Sequence, residues 1–116
     1  LVVKFTNISD GTGESAVTKV DISGFTGMTA SSRCFIKKIK YSTDGMSVRI
    51  LWDASTPTLA WVIPQNVMGE VDFTETNGLT TNAGTGITGD IKFTTVGHSS
   101  GDTYCITLVL GKLLGA

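Results

Sequence analysis

The stretch RCFIKKIKYSTDGMSVRILW, Arg33 to Trp52, decides how this chain is read. Its centre, Asp44-Gly45, tolerates the positive φ of a tight turn and separates two runs rich in β-branched and aromatic residues. The segment therefore predicts a hairpin with arms Arg33–Tyr41 and Ser47–Trp52. Successive side chains of a strand point to opposite faces. In the second arm Val48, Ile50 and Trp52 share one face, while Ser47, Arg49 and Leu51 share the other. The first arm cannot bring Ile36 and Ile39 to one face at period two, so a bulge is expected near Lys37 and Lys38.

The same alternation continues on both sides of this segment. Val3, Phe5 and Asn7 alternate with Lys4, Thr6 and Ile8 in a first strand that ends at Ser9-Asp10-Gly11-Thr12-Gly13. A second strand, Ser15–Ile22, should turn Thr18, Val20 and Ile22 inward, and a Gly/Ser/Thr loop, Ser23–Ser32, follows. Pro57 and Pro64 bracket a short strand, Thr58–Ile63, and another covers Glu70–Phe73. Thr74–Gly86 reads as the longest exposed loop, with little to bury except Leu79. Ile87, Gly89, Ile91 and Phe93, then Tyr104, Ile106, Leu108 and Leu110, mark the last two strands.

No window of a dozen residues carries a 3.6-residue stripe. About eight short strands without crossover helices predict an all-β chain: an antiparallel two-sheet sandwich, jelly-roll-like by strand number. An immunoglobulin-like sandwich is the alternative, because periodicity carries no strand order.

Composition narrows the function. The 116 residues suit one domain, 1–116, and carry 9 basic and 10 acidic side chains, a formal net charge of -1. Such a chain has no electrostatic reason to hold phosphates, which excludes nucleic acid as its main partner. Apolar runs such as Cys105–Leu110 fall far short of the roughly 20 residues of a membrane helix, so no membrane span is expected. The chain opens on Leu1 rather than Met and lacks the features of a signal peptide, so further sequence is expected upstream.

Several motifs resemble catalytic signatures without their context. Gly84-Thr85-Gly86-Ile87-Thr88-Gly89 fits the dinucleotide-binding glycine pattern, but that pattern needs a strand before it and a helix after it, and here a loop precedes and a strand follows. Gly97-His98-Ser99-Ser100-Gly101 fits the nucleophile-elbow pattern, yet the chain's single histidine is adjacent to the serine and Asp102 stands too close to orient it. Both read as turns, and no enzyme and no cofactor are expected. His98 alone cannot fill a zinc site, and Glu70, Asp72 and Glu75 read as a solvated acidic edge rather than a calcium site. Cys34 and Cys105 are expected as two buried thiols, with a disulfide as the alternative if their strands are neighbours.

What remains unusual is the surface. Only 16% of the residues are charged, against about 25% in an average soluble domain, and Val17, Leu51, Val62 and Val109 fall on the second faces of their strands. Apolar surface poor in charge suits a chain covered by neighbours, so a subunit of a larger assembly is expected. Candidate interface residues are the basic cluster Arg33, Lys37, Lys38 and Lys40, which reads either as a solvated face or as a contact for an acidic partner, together with Trp61, Leu79, Leu113 and Leu114.

Asp10-Gly11-Thr12-Gly13-Glu14-Ser15, Ser47-Val48-Arg49-Ile50-Leu51-Trp52-Asp53-Ala54 and Asp102–Leu110 resemble stretches of small virion structural proteins of tailed bacteriophages. The resemblance implies a head decoration or cement protein that binds the major capsid protein and other virion proteins, often as a homotrimer. It implies a place on the capsid surface after assembly in the host cytoplasm, and no catalytic residue to carry over. A receptor- or glycan-binding module of a phage tail or fibre, stacking sugars on Trp52, Trp61 or Tyr104, is the alternative.

Overall fold

The computed structural model describes residues 2–22, 33–76, 78–81 and 85–113. These form strands β1 (Val2–Ile8), β2 (Val17–Val20), β3 (Arg33–Asp44), β4 (Ser47–Trp52), β5 (Thr58–Ile63), β6 (Met68–Asp72), β7 (Ile91–Val96) and β8 (Thr103–Leu113), with a 3-10 turn at Thr74–Thr76. The expected loop Ser23–Ser32 and the candidate Leu114 lie outside the described residues.

Two antiparallel four-stranded sheets pack face to face, in the orders β1-β8-β3-β6 and β2-β7-β4-β5. Within them β1 lies beside β8, β2 beside β7, β3 beside β6 and β4 beside β5. That is a long two-stranded ribbon rolled up so that successive rungs alternate between sheets, the jelly-roll order rather than the immunoglobulin one. The inner faces supply the core. Ile36, Ile39, Ile106 and Leu108 from the first sheet meet Val48, Ile50, Ile63 and Phe93 from the second, all at 0% exposure. Each such side chain contributes roughly 1.5–3 kcal/mol by leaving water.

The bulge falls where the isoleucine spacing requires it. Ile36 pairs with Leu110 and Lys38 with Val109, which leaves Lys37 as the extra residue and turns both Ile36 and Ile39 inward. Strand two is shorter than expected, and Thr18 stands exposed, because the β2–β7 register slips between Thr18 and Val20.

The hairpin expectation at Asp44-Gly45 is overturned. β3 pairs with β6 and β8 in one sheet, whereas β4 pairs with β5 and β7 in the other, so the turn is an arch that carries the chain across the core. An Asp-Gly turn specifies reversal of the chain; it does not specify that the arms bond to each other. Met46, fully buried, fills the space beneath the arch. The Gly45 N–H donates to Asn66 Oδ1 at 2.8 Å, and the Thr43 hydroxyl donates to the Pro64 carbonyl at 2.7 Å, which pins the arch to the β5–β6 loop.

Gly45 has φ 84°, and a Cβ there would run into the Asp102 carboxylate. Gly45→Ala is expected to destabilise by about 1–3 kcal/mol, read as a lower denaturant midpoint at unchanged m-value. Gly101→Ala, at φ +91° with nothing within 4 Å of the added methyl, should cost only the backbone strain, about 1 kcal/mol.

Candidate functional site

Because inner faces are consumed by the core, the strands of the described residues present their two outer sheet faces and the sheet edges to a partner. The outer face of the first sheet can be read row by row from its registers. One row runs Val2, Val109, Lys38 and Asp72; the next Lys4, Thr107, Lys40 and Glu70; the next Thr6, Cys105, Ser42 and Met68. One half of this face is a charge ladder and the other half is apolar and threonine-rich. Lys38 Nζ lies 3.4 Å from Glu70 and 3.7 Å from Asp72, and Lys40 Nζ lies 3.8 Å from Glu70. A shallow concavity of about 420 Å³ opens between β8, β3 and β6, lined by Cys105 and Thr107 among others, with Met68, 84% exposed, at its rim.

The outer face of the second sheet carries Arg49 between Thr94 and Val62, and Leu51 between Lys92 and Leu59. Leu59 and Val62 are 47% and 43% exposed. Lys92 turns to Asp53, at 3.0 Å, and the exposed charge left at the centre of this face is Arg49, set among Leu51, Leu59 and Val62.

The structure disperses the basic cluster that sequence reading had placed together. Arg33 Nη2 donates to the Ile87 carbonyl at 3.1 Å, and Lys37 lies 5.9 Å over the Phe35 ring. Lys38 and Lys40 are the pair brought onto one face, and acidic side chains of β6 already meet them. Glu70 and Asp72 thus serve the ladder of an edge strand.

Leu79 is not an exposed loop apex. Its backbone bonds Ile36 in both directions, at 2.8 and 2.9 Å, and its side chain packs against the core. Trp61 is half-buried and meets Phe73 edge-on at 5.2 Å, sealing the seam between edge strands β5 and β6. Leu113 ends β8 opposite Arg33. Trp52 and Tyr104, both 2% exposed, belong to the core. No described aromatic side chain stands fully exposed, and Phe35, Tyr41 and Trp61 are partly buried.

The catalytic look-alikes fold as scaffolding. Ser99 donates its backbone N–H to Asp102 Oδ2 at 2.7 Å, and Asp102 donates its own N–H to the Ser99 carbonyl at 3.0 Å, which closes a tight turn. His98 Nδ1 lies 3.3 Å from Thr95 Oγ1, and its ring occupies the space a side chain at Gly13 would need. In the glycine-rich stretch Gly86 and Gly89 have φ 83° and 88°, and the Ser55 side chain fills the room beside Gly86.

One part-buried polar cluster escaped sequence reading. Tyr104 donates its hydroxyl to Glu14 Oε1 at 2.6 Å, and Lys19 pairs with the other oxygen of Glu14. Burial first, then the Glu14 hydrogen bond and charge, push the Tyr104 phenol well up. Glu14 and Tyr104 lie 90 positions apart in sequence, so no local pattern could have paired them. At the opposite end of the sandwich, burial pushes the Asp53 carboxyl up, but the Thr88 hydroxyl and Lys92 outweigh it and hold the group below its ordinary value of 3.8. Asp90, raised by burial and by the charges of Asp21 and Asp53, accepts the Ile22 N–H at 2.8 Å.

The two cysteines differ, contrary to the expectation of two buried thiols. Both are free; Cys34 is buried and Cys105 exposed, because the alternation of β3 and β8 turns them to opposite faces. Although β3 and β8 are neighbours, Cys34 pairs with Lys112 and Cys105 with Ser42, far apart along the ladder. Among the described residues no group of three or more His, Cys, Asp and Glu side chains is placed to hold a metal ion.

No protein-family model matches the chain, and no curated protein matches it. Among solved structures the chain is similar to PirA, as seen in a crystal structure, with a TM-score of 0.45 and 8% sequence identity over 92% of this chain and 91% of that one. A likeness of that degree says nothing about function.

Burial pushes the Cys34 thiol up to about 11, so little thiolate exists near neutral pH. A thiol reagent at pH 8 is expected to label Cys105 alone in the folded chain and both cysteines after unfolding, checked by mass spectrometry of the labelled peptides. Asp90 has a raised folded pKa, so its charged form is penalised in the fold: the penalty is absent below its unfolded value, grows as pH rises through it, and is complete above the folded value. Asp90→Asn keeps an oxygen to accept the Ile22 N–H and should stabilise by about 0.5 kcal/mol at pH 7, with no gain near pH 3. Denaturant titrations at the two pH values check this.

Proposed function

We propose that this protein is a non-catalytic structural subunit of a bacteriophage virion, a head decoration or cement protein that binds neighbouring copies of the major capsid protein. The observation that carries the reading is the outer face of the second sheet, where Leu51, Leu59 and Val62 stand together around one exposed cation, Arg49. A solitary domain gains nothing from exposing such residues on a regular sheet, whereas an assembly partner recovers their transfer energy. At about 25 cal/mol per Å², a contact burying roughly 1,000 Å² of apolar surface has a gross driving force of about 25 kcal/mol, most of it offset by ordering costs. Repetition over many copies lets a small net gain per copy stabilise a shell. The resemblance of three sequence stretches to small phage virion proteins supports the same reading, and it implies a homotrimer or other homo-oligomer on the capsid surface.

The expected outcome is that the protein co-purifies with phage particles in a fixed ratio to the capsid subunit. The double variant Leu59→Asp, Val62→Asp should lose particle binding at least about tenfold, while its own stability changes by about 0.5 kcal/mol per site. Recovery only as a soluble chain absent from particles defeats the reading.

A further inference from the structure

Among the described residues the two sheets have four edges, and three of them are blunted against pairing with another chain. β2 is four residues long and slips in register between Thr18 and Val20. β5 is bulged at Ala60, where Ile50 pairs with Trp61 and Leu51 with Leu59, and Pro57 and Pro64 flank it. β6 is five residues long and carries Glu70 and Asp72, which would meet like charges in a symmetric pair. Short length, bulges, prolines and charges are the usual protections of an edge.

β1 has only one of these, the single charge of Lys4. It runs seven residues, VVKFTNI, in unbroken register with β8 from Val2↔Val109 to Ile8↔Thr103, without proline or glycine and with Lys4 as its one charge. Just beyond it Ser9 donates its N–H to the Asp102 carbonyl at 2.7 Å, so alternation aims the peptide groups of the odd-numbered residues at β8 and those of Val2, Lys4, Thr6 and Ile8 at the open edge. The same four residues line the outer face, where Val2 and Ile8 are 65% and 77% exposed.

We propose that β1 pairs antiparallel with β1 of a second copy of this chain, across a two-fold axis at Phe5, joining the two four-stranded sheets into one. The register follows from the side chains. Centred on Phe5, Val2 faces the partner's Ile8 and Ile8 faces the partner's Val2, so both exposed apolar residues are covered, while Lys4 faces the partner's Thr6. Centred on Lys4, the two ammonium groups face each other; centred on Thr6, Val2 faces the partner's Asp10 and Ile8 the partner's Lys4. Only the Phe5 register satisfies the apolar ends and separates the lysines. The four outward-aimed residues of each copy supply about eight backbone hydrogen bonds, and the pairing is an edge-to-edge strand addition between identical partners. It needs neither a particle nor a three-fold contact and leaves the second sheet's outer face free.

Sedimentation equilibrium of the chain from about 1 μM to about 1 mM tests the pairing, with a concentration-dependent dimer as the expected result. Thr6→Glu sets a carboxylate opposite Lys4 at both symmetry-related positions and should tighten the dimer about fivefold, whereas Thr6→Lys sets ammonium against ammonium and should weaken it about tenfold. Thr6→Pro deletes an outward-aimed donor while sparing the β8 ladder, and should abolish the dimer; if that variant does not fold, the opposite response of the Glu and Lys variants decides. Circular dichroism checks that each variant keeps its sheets. A monomer at every concentration, or equal shifts for Thr6→Glu and Thr6→Lys, overturns the pairing, and neither result bears on whether the protein joins a particle.

Discussion

The antiparallel ladder between β3 and β8 is the constraint on which the rest of this structure depends. It runs from Arg33↔Leu113 to Asp44↔Thr103, and it places the two longest strands side by side at the centre of the first sheet. Strand periodicity is 2.0, so a single slip would turn every inward side chain of one strand to water. The extra residue at Lys37 absorbs the mismatch and keeps Ile36 and Ile39 in the core with Ile106, Leu108 and Leu110. Close approach matters as well: Gly111 stands opposite Phe35, and a side chain there would collide with the ring.

From this ladder the two surfaces of the protein acquire different characters. On the first sheet, β6 brings Glu70 and Asp72 beside Lys38 and Lys40, so the charges of that face are largely spent on one another in ordinary surface pairs of small energetic value. On the second sheet, Asp53 takes Lys92 and leaves leucine and valine in the open. Several of the chain's few charges thus pair with one another, while Lys4 and Arg49 stay exposed on the two outer faces. The exposed Val2 and Ile8 at the two ends of β1 belong to the same economy of charge, at an edge instead of a face.

Much of this was legible from residue order. The bulge at Lys37, the burial of Trp52 and the use of the glycine motifs as turns all follow from alternation and turn chemistry within a few residues. The dispersal of Arg33 and Lys37 was not legible, because a run of basic residues along a strand says which face each one takes but not which carbonyl or ring awaits it. The partner of Leu79 was not legible for a related reason. It is the one large apolar residue of a polar loop, and only the fold shows that the loop returns beside β3 and gives its backbone two bonds to Ile36.

The sequence by itself determined most of the strands, most of their inward faces and the all-β sandwich, with Thr18 of β2 the exception, since period-two burial is a property of neighbours along the chain. Only the tertiary structure decided that Asp44-Gly45 is an arch and not a hairpin, that the order is β1-β8-β3-β6 over β2-β7-β4-β5, and that Glu14, Lys19 and Tyr104 meet. The physical reason is one of range. A turn residue fixes local φ and ψ at little cost, but which strand lies across from which is settled by summed burial over both sheets, and no single segment contains that sum.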